Sequence, residues 1–152
     1  MIDFYLNKGY SLDWIEIRIK TIIDRKKLTN IWANNGITET KEYAILTNDI
    51  YKTWSGMTAR EYKEFKGLRK ESLRDNMTDI EVVLTDLGEI ATRELAQKYK
   101  PKGLKDNRKI AHLGGDAAKS ARRNLEKNLK ERVIKKDNKL KYKYIDNDKL
   151  IK

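Results

Sequence analysis

The chain has 152 residues, enough for one domain or a compact body with an appendage, and its 34 Lys and Arg outnumber 23 Asp and Glu to give a net charge of +11. Charged residues make up 38% and hydrophobic ones only 39%, yet eight Tyr, three Trp and two Phe supply the large apolar side chains of a core, which excludes wholesale disorder. With no cysteine and one histidine, disulfides, thiolate chemistry and Cys-based metal sites are excluded, and any hydrolytic triad would rest on His112 alone. Apolar runs are too short to span a membrane, and residues 1–5 lack a signal-peptide pattern, so a cytoplasmic location is expected.

The charge is unevenly distributed. Residues 1–97 hold 15 Lys or Arg against 16 Asp or Glu, whereas residues 98–152 hold 19 against 7. A nearly neutral body therefore carries a basic C-terminal part, which attracts polyanions such as a phosphate backbone or an acidic protein surface. The division expected is a helical core over 1–103, a long basic helix over 104–132 and a basic arm over 133–152.

In chain order, Ser11 can cap a helix over residues 11–24, where Leu12, Ile15, Ile19, Ile22 and Ile23 recur at helical spacing. A second short helix is expected over 28–33, stopped by Asn34-Asn35-Gly36, with a loop over 37–45. Thr47 is expected to cap a short helix through Trp54 that Gly56 ends, and Thr58-Ala59-Arg60-Glu61 forms a capping box closed by Gly67. Trp54 and Phe65 read as core anchors, and the pair of short helices loosely suggests a helix-turn-helix.

A second capping box, Thr78-Asp79-Ile80-Glu81, opens the strongest helix, with Ile80, Val83, Leu84, Leu87, Ile90, Ala91 and Leu95 as its apolar face until Pro101 ends it. Its carboxylates Asp79, Glu81, Asp86, Glu89 and Glu94 read as a solvated face, with Glu89 paired to Arg93 at i+4 rather than holding a metal. The next helix has a small stripe, Ile110, Gly114, Ala117, Ala118, Ala121, Leu125 and Leu129, suited to close packing or to a homodimer. Gly114-Gly115 allows a kink. Beyond it, Val133-Ile134 and Leu140 to Ile145 alternate apolar and basic residues, as a short β-ribbon or flexible arm would.

The run Lys66-Gly67-Leu68-Arg69-Lys70-Glu71-Ser72-Leu73-Arg74-Asp75-Asn76-Met77-Thr78, continuing into Leu84-Thr85-Asp86-Leu87-Gly88-Glu89-Ile90-Ala91-Thr92-Arg93-Glu94-Leu95, resembles the carboxy-terminal region of phage and prophage proteins of the Bro-N antirepressor and DNA-damage-inducible protein D type. The similarity reaches back to residues 5–10 and 51–56, and forward to Ile110-Ala111, Gly114-Gly115 and Ala121-Arg122. It implies a mobile-element origin and a regulatory or host-directed binding role. Members usually carry an N-terminal DNA-associated module, whereas this chain begins with the helical region, so that module's DNA binding does not transfer.

The expectation is an all-α, compact multi-helix domain that works by binding, with no enzyme activity, metal or cofactor. Lys119, Arg122, Arg123, Lys127, Lys130, Arg132, Lys135 and Lys136 are the candidate contacts to nucleic acid or to a host nucleoprotein complex, with Arg69, Lys70 and Arg74 as a secondary basic patch. The alternative is a stand-alone phage inhibitor of a host defence or recombination complex. A metal-dependent nuclease is a third and weaker reading. His112 reads as a surface or packed side chain, since it lacks the constellation of a general base.

Overall fold

The computed structural model describes residues 1–138, and these form six α-helices with no strand among them. They are α1 (Ile2–Asn7), α2 (Leu12–Asn34), α3 (Thr40–Ser55), α4 (Ala59–Phe65), α5 (Asp79–Tyr99) and α6 (Gly103–Leu129), with a 3₁₀ turn at Arg74–Asn76 before α5. Helix α5 is central: α2 packs along one side, α6 along another, and α3 crosses both α5 and α6.

The caps follow the local sequence. Ser11 Oγ accepts the Trp14 amide at 3.2 Å, while Thr58 with Glu61 and Thr78 with Glu81 form reciprocal capping boxes. Two expected boundaries differ. Helix α2 runs unbroken for 23 residues, because Asp24 and Arg25 occupy inward positions where an apolar pattern would show a gap. Helix α3 begins at Thr40, seven residues before Thr47, because the Glu42 carboxylate accepts the amides of Thr38 and Glu39 at 3.1 Å. The expected loop over 37–45 is thus mostly helix, and Thr47 lies inside α3, its hydroxyl donating to the Tyr43 carbonyl.

Helix α5 departs furthest from its pattern. Ile80, Val83 and Leu87 are exposed at 36–44%, while Glu81, Thr85, Asp86, Glu89 and Thr92 are buried. Of the expected solvated carboxylate face, Asp79 and Glu94 stay exposed, while Glu81, Asp86 and Glu89 turn inward toward cations supplied by other elements. Phe65 is only half-buried, and Tyr62 and Trp54, both 0% exposed, take the anchoring role expected of it.

Helix α6 continues through Gly114-Gly115 without a break in its helical assignment. A Cβ at Gly114 would lie 1.9 Å from Thr92 Oγ1 and 2.7 Å from the Thr92 amide, and one at Gly115 would lie 2.8 Å from Thr53 Cβ and 3.0 Å from the Ile50 carbonyl. The two glycines are the points where α6 touches the backbones of α5 and α3. Gly114, Gly115 and Ala118 are consumed by this packing, whereas Ala117 is exposed. Val133 is 2% exposed and residues 133–138 lie on the body. They are neither ribbon nor free arm, and the remainder of the expected arm, 139–152, falls outside the described residues.

Gly114→Ala should destabilise the fold by about 1–3 kcal/mol or more, because the clash is with backbone atoms that cannot rotate away. Ala117→Ser, at an exposed position of the same helix, should change little. Urea denaturation of both variants checks the contrast; an unchanged Gly114→Ala midpoint would contradict the contact.

Candidate nucleic-acid interface

Five acids of the body, Asp24, Asp49, Glu81, Asp86 and Glu89, are spent inside it and do not offset the basic surface. The Glu89 carboxylate, 1% exposed, accepts two parallel bonds from Arg74 at 2.7 and 2.8 Å and a third from Arg25 at 2.8 Å. Arg25 also donates to Thr47 Oγ1 at 2.6 Å and lies over the Trp32 ring, while Arg74 lies over Tyr51. Burial alone would raise the Glu89 carboxyl, but the two guanidiniums hold it below the usual carboxylate range. Arg74 is therefore a core ion partner rather than part of a surface patch, and the Glu89–Arg93 pair expected from i,i+4 spacing does not form.

Two further inward sites follow the same rule. Glu81 receives Lys66 Nζ at 2.8 Å and the Tyr62 hydroxyl, with both side chains of the Lys66–Glu81 pair fully buried. Lys66 Nζ also donates to the carbonyls of Lys135 at 2.8 Å and Asp137 at 2.7 Å, and Asn138 donates to the Lys66 carbonyl. Between α2 and α5, Asp24 bonds Lys20 at 2.6 Å and meets Arg93 at 3.4 Å, beside the buried Asp86. Burial and the nearby Asp24 carboxylate push Asp86 up to about 7, so the pair shares a proton on the acid side of neutrality.

With these acids engaged, α6 presents cations to solvent. Its 27 residues extend about 40 Å. Lys105, Lys109, Arg123 and Lys127 fall along one exposed line, broken by Asp116. Lys119 flanks that line half-exposed, and Lys130 and Arg132 continue the exposed basic surface just past the helix. None of these seven cations has a carboxylate partner among the described residues, whereas Arg108 is held by Asp49 at 2.9 and 3.1 Å. Lys105 and Lys109 escape a search for dense basic clusters because they lie one to two turns before the glycines.

Not every expected contact faces outward. Arg122 turns toward α3, donating to the Trp54 carbonyl at 2.8 Å and pairing with Glu126 at 2.6 Å, so it braces the α3–α6 junction instead of meeting a phosphate. Glu126 in turn accepts the Val133 amide at 3.0 Å. Lys135 pairs with Glu131 at 3.5 Å and Lys136 sits over the Phe65 ring, so both are half-engaged. Arg69 and Lys70 are exposed on the loop before the 3₁₀ turn. A hollow of about 430 Å³ beside Arg122 and Arg132, lined also by Met57, Phe65 and Ile134, opens at the end of this basic region.

His112 lies on the α3–α6 seam, more than half exposed, with Nδ1 3.0 Å from Thr53 Oγ1 and Nε2 3.7 Å from Asp49. The partners come from α3, which spacing within α6 could not reveal. No group of three or more His, Asp or Glu is placed to hold a metal ion among the described residues, and no helix there is long and apolar enough to cross a membrane. Compared with family models, curated proteins and solved structures, the chain gives no significant match.

The ion pairs generate two expected outcomes. Glu89→Ala leaves two guanidiniums facing a low-dielectric void and should cost about 3–5 kcal/mol, read as a loss in denaturation midpoint. Asp86 binds its proton more tightly folded than unfolded, where its value is near 3.8. Its contribution is thus fully present at lower pH and is lost as pH rises toward about 7. The depressed carboxyls Glu89 and Asp24 act in the opposite sense, but only in the acid range below their ordinary values. Asp86→Asn, which keeps the neutral shape, should flatten the decline in stability between about pH 4 and about pH 7. Equal slopes in wild type and variant would refute the shared proton.

Proposed function

We propose that the protein binds nucleic acid through the outer face of α6 and the segment that follows it, in an antirepressor-like regulatory role in a phage or prophage. The observation that carries this reading is the division of charge: Arg18, Arg25, Arg74 and Arg93 of the body pair inward, while Lys105, Lys109, Lys119, Arg123 and Lys127 of α6 remain without carboxylate partners among the described residues. A phosphate backbone gains counterion release from each such cation, and a stiff helix holds them in line. The resemblance of residues 66–78 and 84–95 to antirepressor-type phage proteins supports the regulatory setting.

A second reading has its own observation. Ile80, Val83 and Leu87 expose apolar surface on α5, which a protein partner covers better than a phosphate backbone does. On that reading the target is a host defence or recombination complex, and the basic face occupies the place of its nucleic acid.

Titration of a labelled duplex at two salt concentrations separates the two. Direct contact gives micromolar binding that weakens steeply with salt, and the Lys119→Glu, Arg123→Glu, Lys127→Glu variant should bind at least about tenfold more weakly with a shallower salt slope. Arg122 is left intact because its replacement would loosen α3 from α6. No binding by wild type at low salt would overturn the nucleic-acid reading.

A further inference from the structure

A groove follows the seam where the C-terminal halves of α2 and α5 lie side by side. It consists of two adjoining hollows of about 680 and 370 Å³ that share Ile31 and Gln97. In the larger, Ala96 is fully buried and Ile31 half-buried, which makes an apolar floor, and the exposed Asn34 and Gln97 bring side-chain amides to its rim. Lys100 and Lys102 stand at the mouth, the first as C-cap of α5 and the second as N-cap of α6. The smaller hollow ends at Lys27, two helical turns back along α2, about 12 Å from Asn35. Its one carboxylate is Glu94, and Arg93 beside it is turned to Asp24.

Cations thus stand at both ends of an amide-rimmed, apolar-floored groove, and the ammonium groups of Lys27, Lys100 and Lys102 have no carboxylate partner among the described residues. The track is continuous in chain order with the outer face of α6, since Lys102 is followed by Lys105 and Lys109 one and two turns on. A hollow between two helices admits one splayed base but not a base pair held in a stack. Amides can donate to and accept from the edges of an unpaired base, an apolar floor takes its ring, and ammonium groups take the flanking phosphates.

We infer that this groove receives a nucleotide of an unpaired strand, so that the preferred ligand is a nucleic acid with a single-stranded segment rather than a closed duplex. The inference rests on the α6 reading above and names the ligand form for it. The duplex portion lies along α6, and the unpaired strand turns at Lys102 into the α2–α5 groove.

The test compares a labelled blunt DNA duplex with the same duplex bearing an unpaired thymidine tail, by fluorescence anisotropy. Wild type should bind the tailed form about tenfold more tightly. The Asn34→Asp, Gln97→Glu variant changes two exposed rim residues and should fold unchanged by circular dichroism. It should lose the preference for the tail while keeping its affinity for the blunt duplex, and the α6 charge-reversal variant should lose both. Equal affinity of wild type for blunt and tailed forms overturns the inference and leaves the α6 reading standing. Failure of wild type to bind either form at low salt removes the α6 reading itself. If polyglutamate displaces the tailed form from the groove as readily as unlabelled oligothymidine does, the groove belongs to an acidic peptide and the inference falls.

Discussion

The carboxylate of Glu89 sets the terms for the rest of the molecule. A buried carboxylate is tolerable only when its oxygens are matched, and here one oxygen meets Arg74 while the other is shared by Arg74 and Arg25. The three side chains come from α5, α2 and the 3₁₀ turn, and Thr47 ties in α3 through Arg25. Helix α5 cannot rotate to bury Ile80, Val83 and Leu87 without drawing Glu89 away from its partners. The exposed apolar stripe is the consequence of that choice of face.

The same economy shapes the surface. A chain with so few hydrophobic residues completes its interior with ion pairs, which remove acids and bases from solvent together. Because bases outnumber acids overall, the remainder is positive, and α6, packed through glycine and alanine, has its whole outer side free to carry it. Small residues inward and lysines outward are therefore two aspects of one helix. The close approach at Gly114 fixes which way Lys109, Arg123 and Lys127 point.

Much of the fold was readable from local chemistry. Ser11, Thr58 and Thr78 are caps, Gly56 and Pro101 are stops, and the small stripe of α6 does pack tightly, because each depends on neighbours within a few residues. The failures share a different cause. The continuity of α2 through residues 24–27, the inward carboxylates of α5 and the burial of Arg74 all depend on a partner many positions away, and hydrophobic periodicity counts such residues as solvent-facing. At the site, Arg123 and Lys127 were legible as exposed cations, whereas Arg122 was not separable from Arg123, because only the position of α3 tells which of two adjacent arginines meets the Trp54 carbonyl. The groove between α2 and α5 left no trace in sequence, being assembled from Asn, Gln and Ile residues of no distinctive spacing.

Lys66 ties its own neighbourhood to the far end of the described chain. Its ammonium group is fully enclosed, and two of its acceptors are the carbonyls of Lys135 and Asp137. A nascent chain that has emerged only through α6 has Lys66 and Glu81 in place but lacks those acceptors, and an incompletely satisfied buried ion costs several kcal/mol. Residues 135–137 therefore belong to the interior around Glu81 as much as to the segment after α6, and their removal leaves the Lys66 ammonium short of two acceptors.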